Sequence, residues 1–278
     1  MNKNIQYIIE NIINFNPANF NDDENDIIDA QTINSLIWCP KTSEELQELV
    51  AKRLAEKPEN PYLLDIDTSE ITDMSGLFAS RRNSDHGNPK YNKYLSKYYI
   101  SSINIKELNL ATWNTSNVTN MNYMFSDCES LEALNISSFN TSKVVNMEFM
   151  FYHCESIKEL DLTHFDVSSV ERMCYMFCAC ESLKKLNLSG WNTSNVETMR
   201  GMFSWCKSLK TLDLSFFNTV NTNDLGYMFN QCNSLVKLDL TNFDISNVND
   251  MCDLFNSCSL LTIDNIITSC KKIREYYD

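Results

Sequence analysis

From Leu63 to about residue 260 the apolar positions fall into columns that recur from one stretch of chain to the next. Each unit opens with L-x-x-L-x-L spacing, as at Leu131, Leu134 and Ile136, Ile157, Leu160 and Leu162, or Leu183, Leu186 and Leu188. It closes with V-x-x-M-x-x-M-F-x-x-C, as at Val118, Met121, Met124, Phe125 and Cys128. The closing cysteine returns at Cys154, Cys180, Cys206, Cys232 and Cys258, a fixed step of 26 residues. A repeat of this length is one supersecondary unit that cannot bury its own apolar face and must stack on its neighbours. The last two apolar residues of the opening motif share one face of a short strand, and successive strands should stack parallel about 4.8 Å apart. The three-and-four spacing of the closing motif predicts a short helical turn with Met and Phe facing inward. The expected fold is therefore an α/β repeat solenoid of leucine-rich-repeat type, with short parallel strands on one face and short helical turns on the other.

Between strand and helical turn lies a polar connection led by an aromatic residue: Trp113, Phe139, Phe165, Trp191, Phe217 and Phe243. Each is followed by Asn or Asp, at positions 114, 140, 166, 192, 218 and 244. Short amide and carboxylate side chains bond nearby backbone N–H groups, so this column reads as turn chemistry. The recurring Asn-Thr-Ser triplets also fit a glycosylation sequon, but their place at a turn favours the structural reading. The ends depart from the repeat. Met74 and Met121 are 47 residues apart, one period plus 21, which puts an insertion at about 81–99. Thr42 and Glu45 form a capping box before Leu46, Val50 and Leu54. These features divide the chain into a helical N-terminal cap over 1–62, a solenoid over 63–260 and a C-terminal cap over 261–278.

Composition changes this picture in three ways. A net charge of −14 argues against a phosphate-binding surface, since nucleic-acid affinity rests on Lys and Arg, and no nucleic acid or anionic membrane is expected as a partner. No run approaches the roughly 20 apolar residues that span a bilayer, so no transmembrane segment is expected. Met1–Phe15 has isoleucines at helical spacing broken by Asn and Glu, which is unlike a signal peptide, so the sequence by itself points to the cytoplasm. Eleven cysteines, an odd number, also favour a reducing compartment.

Candidate chemistry is sparse. The cysteine column sits among Met, Phe and Leu and reads as packing, because a linear ladder gives one ligand per coil where zinc needs four. Cys174 and Cys178 stand apart, i and i+4 on an outward helical face, as a possible metal or redox pair. No nucleophile–base–acid arrangement and no phosphate loop occurs, so no catalytic residue, metal or cofactor is assigned. Two surfaces remain. The strand face carries a polar column of Asn135, Asp161, Asn187, Asp213 and Asp239 and a basic one of Lys106, Lys158, Lys184 and Lys210. Such columns make an extended ladder on which a protein or glycan can dock, or alternating charges that keep the face soluble. The insertion is locally basic and aromatic, and Arg81, Arg82, Tyr91 and Tyr94 form a second candidate contact, or pack against the acidic N-terminal region.

The string Trp113-Asn114-Thr115-Ser116-Asn117-Val118-Thr119-Asn120-Met121, with Met124-Phe125 after it and variants in each later unit, resembles the BspA-like leucine-rich repeats, in their mycoplasma-type surface lipoprotein branch. The resemblance covers about residues 63–260. It implies a leucine-rich-repeat-like solenoid, often displayed on a microbial surface and associated with adhesion or protein binding. This chain departs from the family in showing no evident signal peptide, lipobox or wall anchor, and from ordinary leucine-rich repeats in placing Phe or Trp where a buried Asn ladder usually runs. The function expected is non-enzymatic protein–protein or adhesion-type interaction through the strand face, with a protein or host-surface ligand as partner and no oligomeric state implied. A structural repeat without a dedicated ligand, or a metal or redox sensor using Cys174 and Cys178, are the alternatives.

Overall fold

The computed structural model describes residues 37–80 and 104–277. The proposed insertion contact at Arg81, Arg82, Tyr91 and Tyr94, and the first 36 residues of the expected cap, lie outside the described residues. The first element, α1 (Ser43–Glu56), starts where the capping box places it: the Thr42 side chain accepts from the Glu45 N–H at 3.2 Å. Glu45 Oε2 reaches back to the Lys41 N–H at 2.6 Å. Leu46, Val50 and Leu54 form its buried stripe. Arg53 ties its last turn to Asp65 at 2.6 Å, and Ser43 Oγ donates to the Asp73 carbonyl at 2.6 Å, so the helix is fastened to the first coil at both ends.

Six three-residue strands follow, β1 (Glu107–Asn109), β2 (Ala133–Asn135), β3 (Glu159–Asp161), β4 (Lys185–Asn187), β5 (Thr211–Asp213) and β6 (Lys237–Asp239), then β7 (Ile266–Ile267) and α2 (Lys271–Tyr277). Each strand is parallel to its partner and in register at equivalent positions, as Glu107 opposite Ala133 and Glu159 opposite Lys185. The ladder is not continuous, however. It divides into β1–β2, β3–β4 and β5–β6–β7. The inward leucine of each strand that precedes a break, Leu134 and Leu186, is half-buried, whereas Leu108, Leu160, Leu212 and Leu238 are buried.

The other side of the coil corrects the expectation of helical turns. No α- or 3-10 helix lies between β1 and β6 among the described residues. The V-x-x-M-x-x-M-F segment is a chain of tight turns closed by bonds to the third residue back, as Met124 N–H to Met121 O at 3.2 Å, Ser126 N–H to Tyr123 O at 3.0 Å and Cys128 N–H to Phe125 O at 3.2 Å. The alternate N–H groups turn outward to the next coil: Met121 to Asn146 O (3.0 Å), Tyr123 to Glu148 O (2.9 Å), Phe125 to Met150 O (2.9 Å) and Asp127 to Tyr152 O (2.7 Å). Beyond its first turn, an α-helix would have sent such donors to carbonyls four residues back within itself. Positive φ values at Tyr123 (57°) and Asp127 (59°), and at their counterparts in later coils, reset the chain direction after each turn and stop the helix. Here the bonded column is unbroken, with bridges running from Asp73 through Asn120, Asn146, Arg172, Thr198 and Asp224 to Asp250.

The core repeats as ladders. Phe78, Phe125, Phe151, Phe177, Phe203, Phe229 and Phe255 stack ring on ring, with centroids 5.4 to 5.9 Å apart. The buried cysteines of the 26-residue column do more than fill space: each of these thiols donates to a phenylalanine carbonyl of the preceding coil, as Cys154 to Phe125 O at 3.2 Å and Cys180 to Phe151 O at 3.1 Å. Buried threonines of the Asn-Thr-Ser turns also bridge coils, Thr193 Oγ1 donating to Asn218 O at 3.0 Å and accepting from Asn218 N–H at 2.9 Å. The Asn itself holds the turn, its Oδ1 accepting the N–H two residues on.

One stitch breaks the repeat. Arg200 reaches Asp224 in the next coil at 3.1 Å and Asp250 two coils away at 2.8 Å, and its guanidinium lies 4.9 Å from the Tyr227 ring centroid. Gly226 makes this path possible, because a Cβ there would stand 2.7 Å from the guanidinium.

Two outcomes follow from these ladders. Phe177→Ala removes a ring stacked at 5.6 and 5.7 Å between two others and should cost about 3–5 kcal/mol, read as a fall in the urea midpoint. The Asp250 carboxyl is held down to about 2 by the Cys252 N–H and the Arg200 guanidinium. A depressed folded-state pKa stabilises above the unfolded value of about 4 and ceases to do so as pH falls through the folded value. Asp250→Asn should therefore lower stability by about 1 kcal/mol or less near pH 6, the exposed-pair scale, with the gap to the natural chain closing between pH 4 and 2 in thermal melts.

Candidate functional site

The strand face presents rows of exposed side chains from consecutive coils. On this face the column Asn135, Asp161, Asn187, Asp213 and Asp239 is half turn chemistry. In each, one side-chain oxygen accepts the N–H two residues on, at 2.9 to 3.3 Å. In Asn135, Asn187 and Asp239 the same oxygen also takes the Ser or Thr hydroxyl. The N–H bonds, together with the hydroxyls, hold the carboxyls of Asp161 and Asp213 below the ordinary range. These acids stay charged and oriented, with their second oxygen toward the surface.

The basic column is built differently. Lys106 bonds Glu59 at 3.0 Å and so belongs to the junction with the first coil. Lys158, Lys184 and Lys210 occupy the same register position in three consecutive coils, are exposed, and make no ion pair among the described residues. Their backbones are part of the ladder: Lys158 O accepts the Lys184 N–H at 2.8 Å, and Lys210 O accepts the Val236 N–H at 2.8 Å. The column is headed by Glu132 and followed by Val236, both exposed. Between the basic and acidic columns, Glu159 and Lys185 pair across coils at 2.7 Å.

The thiols expected as a metal or redox pair lie elsewhere. Cys174 contacts Thr198 Oγ1 at 2.9 Å, and burial pushes its thiol up to about 11. Cys178 is buried, and its thiol is pushed up to about 12 for the same reason. Both shifts oppose the thiolate that metal binding and oxidation require. Among the described residues, no group of three His, Cys, Asp or Glu side chains is placed to hold an ion.

Reading the columns one by one misses the groups that depart from them. Arg200, in a column shared with Asn122, Glu148 and Cys174, pins three coils together, and its partners stand 24 and 50 residues away. Phe216 is 51% exposed where other coils carry Ser138, His164 or Asn242. Trp205 is 41% exposed beneath the Lys207 ammonium, 4.7 Å from its ring. In each case the sequence signal is a column that changes residue class.

Comparison with known proteins follows this geometry. No curated protein matches the chain. Among solved structures, a leucine-rich cell surface protein from Faecalibacterium prausnitzii is similar at 15% identity, TM-score 0.39, over 76% of this chain and 65% of that one. A leucine-rich repeat protein from Bacteroides ovatus is similar at 17% identity, TM-score 0.29, over 59% of this chain and 56% of that one. The chain thus spans less than two thirds of the length of either protein. A family model described as "Mycoplasma protein of unknown function, DUF285" matches residues 95–185 and 153–267, more than half of the sequence. By that match, and in keeping with its BspA-like leucine-rich-repeat columns, the chain belongs to the DUF285 family.

Proposed function

We propose that the protein is a non-enzymatic repeat scaffold that docks a protein partner along its strand face, in an adhesion-type role. The observation that carries this reading is the contrast between columns within the one chain. Positions that hold the coil keep their residue type: Phe at the stacked core, Cys at the thiol ladder, Asn or Asp at the turns. The first strand position changes from coil to coil, running Glu107, Ala133, Glu159, Lys185, Thr211 and Lys237, and every member is exposed. A solenoid presents such a row as one extended surface, the usual platform by which repeat proteins bind. Its partner is a protein or a cell-surface ligand. Nucleic acid fits poorly, because the strand face mixes lysines with carboxylates on a chain of net charge −14.

A photo-crosslinking residue placed at Thr211, on the strand face, and in a second variant at Glu197, on the turn side, tests this reading against surface proteins of the source cells. Saturable adducts should form from position 211 and not from 197. Equal labelling from both faces, or none from either, removes strand-face docking and leaves a structural repeat without a dedicated ligand.

A further inference from the structure

We infer that Lys158, Lys184 and Lys210 form a docking track for an acidic, extended segment of a partner protein; the inference rests on the strand-face reading above. At three places on the described surface, neighbouring coils set opposite charges side by side. Lys207 meets Glu181 at 2.7 Å, Lys185 meets Glu159 at 2.7 Å, and Arg172 meets Glu148 at 3.9 Å, each pair joining adjacent coils. The lysine track does the reverse. It stacks three like charges at one position of three adjacent coils, and like charges set side by side repel. None of the three lysines makes an ion pair with a carboxylate of the described chain. A carboxylate supplied from outside pairs with them, on a protein whose net charge of −14 otherwise disfavours acidic partners.

The surroundings of the track select a polypeptide over a uniform polyanion. Asp161 and Asp213 follow Lys158 and Lys210 by three residues and present charged carboxylates on the same face. A phosphodiester or sulfated chain would carry negative charge onto these acids as well, whereas a peptide can place acids on the lysines and neutral residues beside the aspartates. The next position in the track is Val236, 38% exposed, which suits an apolar residue after the acids. Two coil steps separate the outer lysines by about 10 Å, at about 4.8 Å per step. That is the span of about three residues of extended chain. The segment that fits has acids three residues apart followed by an aliphatic side chain.

The test uses the full chain and a fluorescein-labelled peptide carrying Glu-Ser-Ser-Glu-Leu, with a Gln-for-Glu peptide, a heparin oligosaccharide and an oligouridylate as competing probes, read by fluorescence anisotropy. The Glu peptide should bind at least about tenfold more tightly than its Gln counterpart, and the combined Lys158→Glu, Lys184→Glu and Lys210→Glu variant should lose about tenfold or more of that affinity. Binding should weaken as salt rises. The same three lysines changed to Gln give an intermediate loss, and matched thermal melts show that the fold is intact. Equal binding of the Glu and Gln peptides, or an unchanged affinity in both lysine variants, overturns the inference. So does tighter binding of heparin or oligouridylate through the same lysines, which would assign the track to a polyanion. If adducts still form from position 211 while the Glu peptide fails to bind, strand-face docking stands and the acidic partner falls.

Discussion

The structure depends on one backbone habit: in the turn segment of every coil, alternate N–H groups donate to the coil that follows. Met121, Tyr123, Phe125 and Asp127 reach the carbonyls of Asn146, Glu148, Met150 and Tyr152, and the pattern repeats through Leu225, Tyr227, Phe229 and Gln231. A chain can send donors sideways in this way only if it does not spend them on itself. Two residues with positive φ, four apart in each of these coils, make that so, at a conformational cost of order 1–3 kcal/mol each when they are not glycine. The lateral bonds and the ring ladders offset that cost. Tyr123 stacks on Phe149 at 4.5 Å and Phe149 on Tyr175 at 5.1 Å, all three in the left-handed region, so the strained column is also a contact column.

Once the turn side is bonded without interruption, the rest of the coil falls into place around it. The phenylalanine carbonyls that close the turns also accept the buried thiols of the next coil, so a cysteine in this column is a weak donor aimed at a group that already takes one backbone bond. Gly201 occurs in the strained column where the ring of Tyr175 folds over the backbone, leaving no room for a Cβ, which would lie 2.2 Å from it. The Arg200 stitch passes over Gly226 in the same region. The two glycines and the arginine are one departure from the repeat, and it tightens coils already held by backbone bonds.

How much of this was legible in the sequence follows from what each signal can carry. Period, strand positions, inward Leu and Met, the α1 capping box and the turn role of Asn114 and its counterparts all depend on local spacing, and local spacing is visible. A chain of i→i+3 turns and an α-helix share the same three-and-four apolar spacing, so that spacing predicts a helix where the coil makes turns. The separating signal was present but thin: Gly76 and Gly201 occupy the column of Tyr123, and a glycine recurring there marks a left-handed position. The breaks after β2 and β4 and the reach of Arg200 depend on coil geometry over 24 to 50 residues, which no local pattern encodes. The candidate site was legible as columns of lysine and carboxylate. Its division into lysines with a partner, such as Lys106 and Lys185, and lysines without one was not.

The same asymmetry shows on the strand side. There the ladder is short and interrupted, so a substitution at Glu159 or Lys185 disturbs at most one pair of three-residue strands, while a substitution in the turn column disturbs a chain of bonds that runs the length of the solenoid. The first strand position, running Glu107, Ala133, Glu159, Lys185, Thr211 and Lys237, changes residue from coil to coil while the strand that carries it is kept. The lysine track lies across one of the breaks, between β4 and β5, so that Lys158 and Lys184 lead into one sheet and Lys210 into the next. A segment bound across all three would bridge two sheets that the backbone leaves unjoined, adding to the strand side the continuity that the turn side already has.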